Sequence, residues 1–255
     1  MIDTIDENFN RHARQVPERT PGMIVNELPG LTYVDSGLSC DTFNILHISN
    51  GSALSAATLE AAVTYYRSRG LDYCIWIGRE QLTAEVGGFL QQAGVSRQNE
   101  EVGMILDLGD YAIRRHPDHR NVRIADQPDR IADYARVLAH NWTPPDQNVV
   151  RFYARTAPVY LASDSDIRLL VYYQEGKPVA TLELFPSDAE TVGIYGFATL
   201  QDFRGRGIGS TLFTFALNYA RSAGYRRVIL QASEDGLGIY KKYGFKAVTT
   251  YYEYA

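Results

Sequence analysis

The chain has 255 residues, 45% hydrophobic and 22% charged, a make-up that excludes a disordered chain and suits one large or two small globular domains. Its 25 basic and 30 acidic residues leave a net charge of −5, which argues against nucleic acid or an anionic membrane as a partner. Cys40 and Cys74 lie in or beside apolar runs and read as small buried hydrophobes, and five scattered histidines show no ligand spacing, so neither a disulfide framework nor a metal site is expected. No apolar stretch is long enough to span a bilayer, and the polar N-terminus with Asp3, Asp6 and Glu7 is unlike a signal peptide, so the expected location is the cytoplasm.

Residues 1–30 lack clear periodicity beyond a short helix near Asp6–Gln15. Leu31–Val34 and Thr42–Ile48 read as strands. Ala56–Arg69 is a helix with Leu59, Ala62, Val63 and Tyr66 on one stripe, stopped by Gly70. A strand at Tyr73–Ile77, a helix at Glu80–Gln92 stopped by Gly94, and a strand at Val102–Leu108 follow. The charged stretch Asp110–Asn121 is the expected junction between a domain of residues 1–115 and one of residues 120–255. The second half opens with a strand at Val122–Ala125, a helix at Pro128–Asn141, and a helix capped by Asp146 that runs to about Ala157. Ile167–Tyr173 and Val179–Phe185 form a hairpin about Glu175-Gly176-Lys177-Pro178. Then come a strand at Gly193–Leu200, a helix at Gly207–Ala223 ending at Gly224, a strand at Arg227–Ala232, a helix at Asp235–Tyr243 and a strand at Ala247–Tyr254.

Sliding the chain by 154 residues lays Arg67-Ser68-Arg69-Gly70 on Arg221-Ser222-Ala223-Gly224, and Ala62, Tyr65 and Ile75 on Ala216, Tyr219 and Ile229. Both stretches run helix, glycine, strand, helix, glycine, strand, which points to a duplication. The differences matter more. Gly205, Gly207 and Gly209 fall opposite Gly51, Ala53 and Ser55, Arg204 opposite Asn50, and, after a four-residue gap that lays Gly94-Val95 on Gly244-Phe245, Tyr240 opposite Leu90. The first copy is therefore expected to keep the packing and lack the loop chemistry.

That chemistry lies in Asp202-Phe203-Arg204-Gly205-Arg206-Gly207-Ile208-Gly209-Ser210, between a strand and a helix. Glycines let the backbone turn tightly and expose successive N–H groups, and the first N–H groups of a helix have no partner within it. Such a turn is suited to a pyrophosphate. A mononucleotide-binding loop would need Gly-Lys-Ser/Thr where the chain has Gly209-Ser210-Thr211, and a dinucleotide fingerprint would need glycine at 210, so both patterns fail. A plain glycine-rich turn before a helix would carry no ligand at all.

Arg204-x-x-Gly207-x-Gly209 resembles the Arg/Gln-x-x-Gly-x-Gly/Ala signature of the GNAT (N-acetyltransferase) superfamily, and Gly236–Phe245 resembles that family's Leu-Tyr-x-x-x-Gly-Phe ending. The element order from Val122 onward is also the family's. The resemblance implies an α/β (α+β) fold, a mixed, mostly antiparallel sheet with helices on both faces, here in two tandem halves, the first degenerate. It implies acetyl-CoA as co-substrate and no metal. The backbone of Phe197 and Thr199 would bond the pantetheine arm, and the N–H groups of Arg204, Gly205, Arg206, Gly207, Ile208, Gly209 and Ser210 the pyrophosphate. Ser233 stands where the family often has an asparagine contacting the arm. Tyr240 matches the family's general acid. Gly193–Leu200, where the family often places a base, holds no carboxylate, so Glu183 is the substitute, with Glu190 as a second choice. As a bare strand residue, Glu183 reads as solvated. Acceptor specificity would come from the joint His140–Asp146, where Trp142 and His140 are as readily core residues.

Two function classes follow: an N-acetyltransferase acting on a small-molecule amine or, as the second choice, a protein acceptor; or a non-catalytic acyl-CoA sensor or regulatory module, which would have no need of Tyr240. The oligomeric state is not legible.

Overall fold

The structure, a computed structural model, describes residues 2–109 and 111–255; the side chains of Asp3 and Asp235 also fall outside the description, and so does the first residue of the expected junction, Asp110. In chain order the elements are α1 (Ile2–Glu18), β1 (Ile24–Leu28), β2 (Leu31–Asp35), β3 (Ile45–Ile48), α2 (Ala56–Arg69), β4 (Cys74–Gly78), α3 (Ala84–Gln92) and β5 (Arg97–Asp107). A 3₁₀ turn at Pro117–Asn121 leads to β6 (Val122–Ile124), α4 (Pro128–Ala139), α5 (Gln147–Tyr160), β7 (Arg168–Gln174), β8 (Lys177–Pro186) and β9 (Thr191–Thr199). A second 3₁₀ turn, Gln201–Phe203, precedes α6 (Ile208–Ser222), β10 (Arg227–Ala232), α7 (Glu234–Lys242) and β11 (Lys246–Tyr254). The chain divides into two compact units, Met1–Ile105 with Gln231–Ala255, and Leu106–Leu230. The division differs from one near residue 115, because the last helix and strand lie with the first unit.

In the first unit the strand order is β1-β2-β3-β4-β11-β5. The pairs are antiparallel except β3 with β4, which is parallel. The stripe that predicts α2 is the one it buries, with Leu59, Ala62, Val63 and Tyr66 packed on Leu46, Ile48, Ile75 and Ile77. Ser55 caps its start by accepting from the Thr58 N–H, and Gly70 closes its end in the left-handed region at φ 63°. The helix expected from Glu80 starts at Ala84, after the cap Thr83. Glu80 instead accepts the Thr249 hydroxyl, and Gln81 turns toward Gly51. Two stretches without clear periodicity become strand. β1 is an edge strand, and β5 begins at Arg97 because Arg97–Ile105 pairs along β11, where the Arg97 guanidinium lies 4.1 Å from the Tyr252 ring centroid.

The second unit has the order β6-β7-β8-β9-β10. The first three pairs are antiparallel and β9 with β10 is parallel. The hairpin turn is Glu175 and Gly176, both at positive φ (51° and 78°), the combination that suits a two-residue turn. Asp146 caps α5 by accepting from the Asn148 N–H at 2.8 Å, and the helix runs on through Pro158 to Tyr160. Helices α4 and α6 pack against opposite faces of the sheet, since Tyr134 of α4 meets Gly196 while the start of α6 meets Phe197 and Thr199.

The pairing pattern β1-β2-β3-β4 repeats as β7-β8-β9-β10: antiparallel, antiparallel, parallel. Residues 67–75 and 221–229 occupy the same helix end and strand start in the two patterns, as the sequence offset requires.

Tyr66 is fully buried, and its hydroxyl donates to the Val34 carbonyl at 2.7 Å. Tyr66→Phe is expected to cost ~1–2 kcal/mol of stability by leaving that carbonyl without its donor, read as a lower denaturant midpoint; an unchanged midpoint would show that the bond adds nothing net.

Candidate functional site

The site begins where two parallel strands part. β9 and β10 pair at Arg227↔Thr191, Val228↔Val192 and Ile229↔Gly193, and there the register ends, although β9 continues to Thr199. Beyond that point the partner given for β9 is β8 on its other side. A bulge interrupts that ladder too: Tyr195 lies opposite Glu183 and Ala198 opposite Thr181, so Gly196 and Phe197 together face Leu182. Gly196 takes φ +53°, and a side chain there would collide with the Tyr134 hydroxyl. The bulged segment Tyr195–Phe197 is only half-buried, which leaves polar backbone along an open strand edge.

The glycine loop follows. Arg204 to Gly207 is exposed, Gly205 and Gly207 take φ +72° and +79°, and a Cβ built on either would meet nothing in the protein. Gly207 is the N-cap of α6 with no side-chain cap, so the N–H groups of the first turn face outward without a side-chain acceptor from the cap residue. Gly209 is different: its missing side chain keeps α6 close to β9, since a Cβ would sit 3.2 Å from Thr199 Oγ1 and 3.3 Å from Phe197 Cζ. Arg204 braces the loop by donating from Nε to the Thr199 carbonyl at 2.9 Å, so that carbonyl already has a donor. Arg206 lies over the Phe203 ring at 5.3 Å, and Ser210 is exposed. An anionic, elongated group fits this arrangement: the cradle is empty of side chains, positively charged and backed by a helix N-terminus.

The corresponding loop of the first unit is closed. β3 pairs with β4 over all four of its residues, from Ile45↔Cys74 to Ile48↔Ile77, so those strands do not part. The Gly51 N–H is taken by Gln81 Oε1 at 2.9 Å, a Cβ on Gly51 would strike the Gln81 carbonyl, and Ser55 caps the helix that the open loop leaves uncapped.

Ser233 and Tyr240 lie in the first unit. Ser233 is the exposed N-cap residue of α7, and the Tyr240 ring folds back over Gly236, with a Cβ there 2.8 Å from Tyr240 Cε2 and 3.6 Å from Ser233 Oγ. Burial, and then the nearby Glu101 carboxylate, push the Tyr240 phenol up to about 12. Glu101 itself, on β5, is raised to about 7 by burial and by the negative charge of Glu253. Sequence reading missed this carboxylate, because its environment depends on Glu253 from the far end of the chain; its one local signal is an acidic residue in a polar run entering a strand.

Glu183 is not solvated. It is 2% exposed, on the face of β8 covered by α4 and α5, where Tyr153 donates a hydrogen bond to it. Its alternation with Leu182 and Leu184 is as the sequence indicates, but the face it shares with Thr181 is sealed by helices. Glu190 is an exposed partner of Arg226 and Arg227. Cys40 and Cys74 are buried, and burial followed by Glu253 raises the Cys74 thiol well above its ordinary value. Among the described residues no cluster of His, Cys, Asp and Glu could hold a metal ion, and no helix is long and apolar enough to cross a membrane.

Residues 129–245 match the family model of the acetyltransferase (GNAT) family. This stretch is a GNAT domain. Solved structures extend the likeness to the whole chain. A GCN5-related N-acetyltransferase from Kribbella flavida is 13% identical with a TM-score of 0.69, covering 97% of this chain and 94% of its own. A tandem GNAT protein from the clavulanic acid biosynthesis pathway is 14% identical with a TM-score of 0.58, covering 92% and 83%. A GCN5-related N-acetyltransferase from Sphaerobacter thermophilus is 15% identical with a TM-score of 0.56, covering 89% and 80%. At these identities the likeness shows the fold. The curated protein sequences contain no match. The mixed, mostly antiparallel GNAT architecture and its extension beyond residues 129–245 agree with the sequence reading.

Gly207→Val is expected to abolish acetyl-CoA binding in calorimetry and to cost ~1–2 kcal/mol of stability from the left-handed backbone; retained affinity would place the phosphates elsewhere. With the first loop plugged, the unaltered protein should bind one acetyl-CoA per chain, and a stoichiometry of two would contradict that closure.

Proposed function

We propose that the protein is an N-acetyltransferase that moves the acetyl group of acetyl-CoA directly to the amine of a small molecule. The observation that carries this reading is the exposed left-handed glycine loop at the uncapped start of α6, beside a strand that has parted from its parallel neighbour, within a GNAT domain. The first-turn N–H groups from Gly207 to Ser210, with Arg204 and Arg206 nearby, would hold the pyrophosphate. The free backbone of β9 around Phe197 and Thr199 would receive the pantetheine arm, although Arg204 already occupies one of the expected contacts. Ser233 would add a short side-chain contact. The first unit would serve as a partner that has lost its own cofactor site.

Amide formation requires the amine to lose a proton and the leaving thiolate to gain one. Tyr240 is the acid in this reading: a phenol raised to about 12 keeps its proton across the physiological range and can donate it to sulfur. Glu101, raised to about 7 in the same unit, can exchange that proton with solvent, whereas Glu183 is sealed from it. The direct test is a panel of small amines and lysine peptides with acetyl-CoA, reading free thiol. Turnover on small amines is expected; turnover only on peptides would move the acceptor class, and tight acetyl-CoA binding without turnover would make the protein a sensor.

Tyr240→Phe should leave acetyl-CoA affinity little changed and lower kcat at least ~10-fold; an unchanged kcat where chemistry limits the rate would return Tyr240 to packing. Glu101 can hand on a proton only while it holds one, so kcat should fall as pH rises through about 7. Glu101→Gln should flatten this alkaline fall, and a fall that persists in the variant would assign it to another group.

A further inference from the structure

The two end strands, β6 and β1, are finished in different ways. β6, in the second unit, has three residues, and one of them, Arg123, folds its guanidinium back onto the Arg120 and Val122 carbonyls. It is a blunted edge, short and capped by a charge. β1, in the first unit, has five residues in unbroken register with β2, from Ile24↔Asp35 to Leu28↔Leu31. Its sequence, Ile-Val-Asn-Glu-Leu, contains neither lysine nor proline, and its one charge, Glu27, is paired with Arg14. Among the described residues Ile24 and Leu28 are two of the four large hydrophobic side chains left exposed, at 39% and 38%.

The hairpin fixes which backbone groups of β1 face outward. Only Pro29 and Gly30 join β1 to β2, so the closing pair Leu28↔Leu31 is a hydrogen-bonded one. Pairs alternate from there, and Asn26 and Ile24 also direct their N–H and C=O groups at β2. Val25 and Glu27 turn theirs away from the sheet, and among the described residues neither makes another backbone hydrogen bond. Side chains alternate as well. Ile24, Asn26 and Leu28 share a face with Leu31 and Tyr33, which pack on the α2 core, while Glu27 lies on the side of Arg14 and α1.

The strand is palindromic about Asn26: apolar residues at 24 and 28, outward-facing backbone at 25 and 27. Two copies laid antiparallel about Asn26 place Val25 of one opposite Glu27 of the other, twice. Those are the residues with outward N–H and C=O groups, so four hydrogen bonds form without disturbing β2. Ile24 of each copy then meets Leu28 of the other, and both lose their exposure. Neighbouring registers do worse. An axis at Glu27 sets two carboxylates face to face, and an axis at Val25 leaves Leu28 opposite Gly22.

We propose that the first unit joins a second copy of this chain through β1, by antiparallel pairing about Asn26. The contact is isologous and turns two six-stranded arrays into one continuous sheet. It is small, so the association is reversible and concentration-dependent. It gives the unit that lacks an open cofactor loop a part that needs none, and it stands whether or not acetyl transfer is the reaction.

Sedimentation of the full chain over a concentration series is expected to show a monomer–dimer equilibrium. Val25→Pro removes an outward N–H that β2 does not use, so the fold should survive and dimerisation weaken ~10-fold or more. Asn26→Cys sets two thiols across the axis in a non-hydrogen-bonded pair, where the Cα atoms stand ~4.5 Å apart and a disulfide can close. Mild oxidation should link these copies readily, since Cys40 and Cys74 are buried and do not compete. Val25→Cys, two positions from its own equivalent, should link far more slowly. Should Val25→Pro fail to fold, the two cysteine variants decide. Equal linking through both, or a dimer that Val25→Pro leaves intact, would overturn the pairing. A chain that stays monomeric at every concentration would also overturn it and leave the edge to an extended segment of another protein.

Discussion

The candidate site in the second unit depends on β9 leaving β10 after Gly193. A parallel pair satisfies its backbone groups through its neighbour, so a strand that continues alone must present its N–H and C=O groups elsewhere. Three local devices make the departure tolerable. The bulge at Gly196 and Phe197 re-aims the strand. Gly209 allows α6 to close on Phe197 and Thr199 from one face. Arg204 reaches back to the Thr199 carbonyl and ties the loop to the strand end. Two of the three, Arg204 and Gly209, belong to the glycine motif, which is why a short signature can stand for so large a geometric commitment.

The first unit shows the same topology without that commitment. Its parallel pair stays zipped along the whole of β3, and its loop donor is satisfied internally by Gln81. Once a ligand no longer supplies the partners, a helix start is more stable with a side-chain cap and a strand with a complete ladder. Ser55 and the β3–β4 register are what such a relaxation produces. The face of β3 away from α2 carries His47, buried against Phe9 and bonded to Asp6, so this unit has polar packing of its own.

The elements with an apolar stripe and a glycine stop were legible: α2, α6 and their following strands appear where periodicity and Gly70 or Gly224 put them. Two strands were not. The first half of β5 carries no apolar residue and is held by ladder hydrogen bonds to β11, distant in sequence, while β1 is one arm of a short hairpin with β2 whose apolar residues do not alternate. Glu183 shows a second limit. Alternation along β8 told which face it occupies, but whether that face meets water or helices α4 and α5 is a matter of tertiary packing. The loop residues were legible by spacing, yet the roles of the glycines within it were not equal: two open a cradle and one permits close approach.

The path of the chain through its two units has a consequence for how the protein is made. The second unit is one continuous stretch, whereas the first is assembled from the beginning and the end of the chain, with β11 lying between β4 and β5. During synthesis the central stretch has all its strands in hand while the first unit still lacks an interior one. β4 and β5 must wait with unpaired edges until β11 has left the ribosome, the situation in which strand edges are most exposed to wrong partners. The polar, charged character of the first half of β5, which hid it from sequence reading, is also what keeps such an edge soluble while it waits.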